Sequence, residues 1–184
     1  MRVVAGVARG RGLRAPAGGT RPTSDRVREA VFSVLTSMGA IEGAVVLDLF
    51  AGSGALGIEA LSRGAKQATF VDHSGDAVAS IQSNLEVLGE LSARGEVVRA
   101  DAVRYASSAP PADVVFADPP YDWDGWVALL GALRGKASLV VAETGASLDT
   151  GPGWETVKVK RYGGTVVTVV QPVARPPDRE EGEI

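Results

Sequence analysis

The chain has 184 residues, no cysteine, a single histidine (His73) and a formal net charge of −3. That excludes a disulfide frame and thiolate chemistry, and leaves almost no material for a His-based zinc site or a Ser-His-Asp triad. Its 45% hydrophobic content fits one globular domain, and no apolar run nears the roughly 20 residues that cross a bilayer, so a cytoplasmic protein without a metal is expected.

Charge is unevenly spread. Residues 1–28 carry Arg2, Arg9, Arg11, Arg14, Arg21, Arg26 and Arg28 against one acid, Asp25, a local charge of +6; the remainder therefore sums to −9. A basic segment on an acidic body is the electrostatic footprint of a polyanion binder with its contact confined to one face. The plainer reading is a solvated, arginine-biased tail.

In chain order, Val3-Val4-Ala5-Gly6, then Gly10, Gly12 and Leu13, predict a short hairpin with an Arg/Gly turn. Pro16, Gly18, Gly19 and Pro22 mark an irregular connector. From Asp25 a helix is predicted, with Val27, Ala30, Val31, Val34 and Leu35 recurring on one face and Gly39 as a stop. Short β-branched runs predict strands at 45–49, 68–72, 96–100, 113–117 and 138–142, with helices at about 55–63, 76–88, 102–108 and 124–133. Segments 155–160 and 165–171, joined through Gly163-Gly164, read as a closing antiparallel hairpin. The alternation predicts an α/β fold, a mostly parallel, seven-stranded, doubly wound sheet with helices on both faces. The organisation expected is a basic arm and connector over 1–22, the main domain over 23–171, and a disordered acidic tail over 172–184.

Ligands of such sheets bind outside the carboxyl ends of the strands, where the informative residues lie. Gly52-Ser53-Gly54-Ala55-Leu56-Gly57 spells G-x-G-x-x-G between a strand and a helix. Alone it suits a dinucleotide or an adenosyl cofactor. Asp72, closing the second strand, can accept from two ribose hydroxyls. Asp48, just before the glycine turn, would repel a pyrophosphate but welcome an ammonium or sulfonium. Asp101-Ala102 after the third strand offers an acid and an N–H to an adenine edge. Together with Phe50, Gly52, Ser53 and Gly54, these describe a site for a cationic nucleoside, S-adenosyl-L-methionine. The alternative is that the three acids merely cap helices.

Asp118-Pro119-Pro120-Tyr121 follows the fourth strand. Asp118 and the Pro119 carbonyl can accept both hydrogens of an exocyclic amine while Tyr121 stacks on the base. Trp123 and Trp126 are either a wall of that pocket or core packing. A base inside a duplex cannot reach such a shelf, so the substrate is flipped out or single-stranded. Arg2, Arg9, Arg11, Arg14 and Arg21 would then supply phosphate contacts.

Arg2-Val3-Val4-Ala5-Gly6, the stretch Arg21 to Glu29, Asp48 to Gly57 with Glu59-Ala60, and Asp118 to Tyr121 together resemble the RsmD family, the 16S rRNA (guanine-N2)-methyltransferases, over residues 1 to about 171. The resemblance implies a Rossmann-like class I methyltransferase fold. It implies that Thr23 and Arg26 close over the methionine end of the cofactor. It also implies a substrate guanine (guanine-966) in 16S rRNA of a wholly or partly assembled small subunit, with ribosomal proteins as possible partners. His73, where many relatives carry a larger residue, is placed with the cofactor site. The alternatives are an adenine-N6 or cytosine-N4 methyltransferase, an NAD-dependent oxidoreductase, or a non-enzymatic RNA-binding module.

Overall fold

The computed structural model describes residues 1–17 and 25–174. Thirteen residues, α1 (Asp25–Ser37), open the domain and are followed by β1 (Val45–Leu49), α2 (Ala55–Ser62), β2 (Gln67–Asp72) and α3 (Gly75–Glu86). After a 3-10 turn at Gly89–Arg94 come β3 (Gly95–Arg99), α4 (Ala102–Ser108), β4 (Ala112–Ala117), α5 (Trp126–Leu133), β5 (Ala137–Thr144), β6 (Trp154–Tyr162) and β7 (Thr165–Pro172).

The seven strands run in the order β3-β2-β1-β4-β5-β7-β6. The first five are parallel, while β7 inserts antiparallel between β5 and β6. Strand order reverses between β1 and β4, the point where an open α/β sheet leaves a ligand crevice.

Alternation along the buried strands sends side chains to two cores. Val46, Phe70, Val114, Phe116 and Val167 meet α1, α2 and α3 on one face. Leu47, Leu49, Val115 and Val140 meet α4 and α5 on the other. Phe32 of α1 packs on Phe116 with ring centroids 5.5 Å apart. Gly57 permits α2 to approach β2, since a Cβ there would sit 2.3 Å from the Phe70 ring; the third glycine of the motif thus serves helix–strand packing rather than a ligand.

Most predicted elements are present within a few residues. The chief departures are α5, which starts at Trp126 rather than 124, β6, which extends to 154–162, and the 3-10 turn, which the periodicity does not signal. The N-terminal hairpin is reduced to a single antiparallel bridge between Arg2 and Gly12, closed by Val3 N to Arg11 O at 3.0 Å and Gly10 N to Val3 O at 2.9 Å. It is no separate arm: Val3, Ala8 and Leu13 are buried in the α1–α3 core. Arg28, counted above with the basic segment, is fully buried and paired with Asp25 at 2.8 Å, so it presents no charge to a partner. Residues Thr23 and Arg21, the connector glycines and the acidic tail from 175 lie outside the described residues.

Candidate active site

Asp48 stands one residue before the end of β1, buried, with its Oδ2 accepting from Gly57 N at 2.8 Å. Burial pushes its carboxyl up from 3.8 to about 8; the Gly57 amide pulls it down, and the charges of Asp118 and Asp72 push it up further. Acids at the ends of three adjacent strands thus feel one another. A cation placed among them would be held and would draw the proton off Asp48. In the ligand-free protein at neutral pH that proton is largely in place. The charge invoked above against a pyrophosphate is therefore suppressed by burial and favoured by a cation.

Phe50 turns the chain out of β1 at φ 58°, the one non-glycine with positive φ among the described residues. A bulky residue held there costs of order 1–3 kcal/mol and tends to persist at functional sites. Ala51 N bonds Val71 O at 3.1 Å, and Gly52 N bonds Asp72 Oδ2 at 2.9 Å, stitching the glycine turn to the end of β2. Gly52 and Gly54 take positive φ, as the turn needs.

The shelf after β4 is equally fixed. Asp118 is partly buried and Pro119 buried. Trp123 N donates to Pro120 O at 2.9 Å, so Tyr121 and Asp122 occupy the centre of a turn. The Tyr121 hydroxyl lies 2.6 Å from Thr165 Oγ1, and a Cβ at Gly145 would come within 3.2 Å of the Tyr121 ring. Phe50 meets Trp123 edge-on with centroids 4.9 Å apart, and Trp123 meets Trp126 at 5.3 Å. The loops after β1 and β4 are therefore in ring contact. Two surface cavities, of about 690 and 290 Å³, lie elsewhere, the larger at the amino ends of β4 and β5 beside Asp113 and Lys136; neither gathers the acids described here.

A family model described as "Conserved hypothetical protein 95" matches residues 1–171. The ribosomal RNA small subunit methyltransferase D of Haemophilus influenzae is 37% identical over 174 residues, covering 89% of each chain. This chain belongs to the RsmD family of methyltransferases. The solved structure of yhhF from Escherichia coli superposes with a TM-score of 0.83 at 32% identity, covering 95% of this chain and 99% of that one. SMU.776, solved as a complex with SAH, shares the fold at a TM-score of 0.67 and 18% identity, over 79% of this chain and 48% of that one.

In this RsmD-family chain only one of the three predicted cofactor acids performs the capping offered as their alternative, since Gly54 and Ser74 hold the N-cap positions of α2 and α3. Asp101 is the N-cap of α4, accepting from Arg104 N at 2.9 Å, and is exposed; Ala102 behind it is buried. Asp72 Oδ1 accepts from Ser74 N at 2.9 Å, so each of its oxygens already has one backbone donor and a lone pair to spare. His73 is an exposed side chain whose Nδ1 sits 3.5 Å from Asp72 Oδ1. Ser53 is buried, its Oγ bonded to Met1 Sδ at 3.3 Å and its carbonyl to Asn84. Arg26 is exposed in the first turn of α1. Trp123 and Trp126 pack against the second core, one of the two roles considered for them, and Trp123 also touches Phe50.

The arginines require the clearest revision. Arg2, Arg9, Arg11 and Arg14 are exposed, yet their backbone is pinned. Val4 N and Ala5 N donate to the Glu59 carboxylate at 2.8 and 3.0 Å, Ala8 N donates to Ser62 Oγ, and Arg14 N donates to Asn84 Oδ1. Arg11 Nη1 is tied to Val87 O at 2.6 Å. The hairpin is a rigid basic ridge rather than a free tail. Sequence reasoning passed over its anchor, Glu59, although a carboxylate inside the apolar helix Ala-Leu-Gly-Ile-Glu-Ala-Leu-Ser was a signal that something polar had to meet it.

Proposed function

We propose that this chain transfers a methyl group from S-adenosyl-L-methionine to the exocyclic N2 of one guanine in 16S rRNA of the small ribosomal subunit. The observation that carries the reading is the contact between the two strand-end loops: the glycine turn with its buried acids abuts the Asp-Pro-Pro-Tyr shelf through Phe50 and Trp123. The relative from Haemophilus influenzae is named for small-subunit rRNA, and the SMU.776 structure contains SAH, which supports both substrate and cofactor.

The residues present fit the cofactor. Asp48, with Asp118 and Asp72 near it, suits the cationic methionine end, and the Asp72 oxygens retain lone pairs for hydroxyls. When bound, the cofactor supplies an electrophilic methyl group, so no metal or covalent nucleophile is required of the protein. What remains is positioning. The Asp118 carboxylate and Pro119 carbonyl accept the two N–H hydrogens of the amine, turning its lone pair out of conjugation with the ring. As the nitrogen gains a bond it becomes cationic, which Asp118 stabilises. The Asp118 carboxylate then takes one of those protons or passes it to water. Exposed Arg2, Arg9, Arg11 and Arg14 of the ridge hold phosphates without reading sequence.

Labelled cofactor with deproteinised 16S rRNA and, in parallel, small subunits, followed by nucleoside analysis, tests the proposal. N2-methylguanosine is the expected product. N6-methyladenosine or N4-methylcytidine would move the assignment to another base, since all three amines present the same two hydrogens to the shelf. Asp118→Ala is expected to abolish transfer while SAH still binds. Wild-type turnover by that variant would refute the mechanism.

A further inference from the structure

β6 is one of the two edge strands of the sheet, and its composition is unusual for this body. Between residues 156 and 174 there are three cations, Lys158, Lys160 and Arg161, and no acid, whereas residues 29–184 as a whole sum to −9. All three are exposed, as are Val157 at 39% and Val159 at 56%. The single acid of the strand, Glu155, sits at its far end and is engaged by Gln171.

The position of these cations is set by the register. Tyr162 pairs with Thr165, whose hydroxyl lies 2.6 Å from the Tyr121 hydroxyl on the shelf. Because β7 runs antiparallel to both neighbours, the carboxyl end of β6 lies at the same end of the sheet as the shelf. Cross-strand partners share a face. Lys160 opposite Val167 and Lys158 opposite Val169 therefore stand on the face where those valines join the α1–α3 core, the face that also holds the N-terminal ridge. Lys160 Nζ is 5.8 Å from the Tyr162 ring centroid, which holds its charge at the tip of the strand.

Resting on the reading under Proposed function, we infer that Lys158 and Lys160 on the ridge's face, with Arg161 opposite Val166 on the other face at the same strand end, form a second phosphate-binding edge, so that substrate RNA is gripped on both sides of the shelf. The ridge takes the strand on one flank and the β6 edge takes it on the other. Neither contact reads sequence; together they limit how far the flanking backbone can slide past Asp118.

Lysines also protect edge strands from pairing with other chains, and a glutamate protects an edge equally well. Charge reversal therefore separates the two roles. The full chain carrying Lys158→Glu, Lys160→Glu and Arg161→Glu is compared with wild type for binding to deproteinised 16S rRNA from 50 to 300 mM salt. The corresponding triple glutamine variant provides a milder second test. Each phosphate contact adds about 0.7–0.9 to the slope of log K against log salt. The expected slope is thus shallower by about two to three, with at least a tenfold loss of affinity near 150 mM salt. SAH affinity is expected unchanged, and the defect in methylation appears in KM for RNA rather than in kcat.

An unchanged salt slope, with wild type binding and methylating normally, overturns this inference and leaves the methyltransferase reading intact. Normal binding to naked rRNA with impaired methylation of small subunits also overturns it, assigning the edge to a ribosomal protein. If wild type itself neither binds nor methylates rRNA, the underlying reading fails and takes the inference with it.

Discussion

Asp48 Oδ2 receives the Gly57 amide at 2.8 Å in a buried setting, joining the end of β1 to the first turn of α2. One backbone donor does not offset the loss of water around a carboxylate that also faces Asp118 and Asp72, which is why its pKa rises from 3.8 to about 8. Because the folded pKa lies above the unfolded one, the folded state alone holds this proton between those values. Its contribution to stability is full below about 3.8 and is lost as pH rises to about 8. Asp48→Asn is expected to flatten the decline of the urea midpoint across that window. The same proton reports on ligand binding: SAH, with its cationic amine, is expected to release it near pH 7. Calorimetry in phosphate and Tris would read this as a buffer-dependent enthalpy in wild type that is absent in Asp48→Asn.

The bond between Tyr121 and Thr165 suggests a second measurement. Tyr121 is half exposed and rests over Gly145, so its hydroxyl bond is what orients the ring. Tyr121→Phe and Thr165→Val each remove it, at a cost to stability of about 0.5–1 kcal/mol. Both are expected to raise KM for rRNA a few-fold, and the double variant to be no worse than either single one. Additive losses would mean that the hydroxyls act separately.

Glu59 offers the largest single effect on stability. Its carboxylate is buried, accepts from Val4 N and Ala5 N, pairs with Arg63 at 2.7 Å and faces Arg28 Nε at 3.7 Å. Glu59→Ala strands two backbone donors and leaves Arg28 with Asp25 as its remaining carboxylate partner. Breaking such a buried pair costs about 3–5 kcal/mol. A fall of that size in urea unfolding is expected, accompanied by protease sensitivity near residues 4–8. A loss under 1 kcal/mol would show that the hairpin is held by its apolar contacts alone.

Periodicity and strand-end chemistry made the sheet and the two loops legible, because Val45–Leu47 and Val114–Ala117 are apolar runs each followed by an acid and turn residues. What composition could not reveal depended on long-range partners. Arg28 and Arg9 carry the same formal charge, yet one is buried against Glu59 and the other is exposed. Lys158 and Lys160 looked like ordinary strand residues until the insertion of β7 brought their end of the sheet to the shelf. Phe50, expected as part of the cofactor site, is also the residue that bends the chain and touches the neighbouring loop.

The N-terminal ridge requires a test that spares its anchors. Deleting residues 1–17 would strip Glu59, Ser62 and Asn84 of partners and uncover the sites of Val3, Ala8 and Leu13, so lost RNA binding could follow from lost folding alone. Arg9 and Arg14 are the better targets. Both side chains are exposed, and the anchoring at Arg14 runs through its backbone, to Asn84 and Ser80. Arg9→Glu with Arg14→Glu is expected to leave the thermal midpoint within about 2 °C and SAH affinity unchanged, while the salt slope for rRNA becomes shallower by about two. A slope equal to wild type would return these arginines to plain solvation. The double variant combined with the β6 reversal gives the sharpest comparison. Two surfaces gripping one strand should lose affinity more steeply together than either does alone, because each raises the effective concentration of RNA at the other.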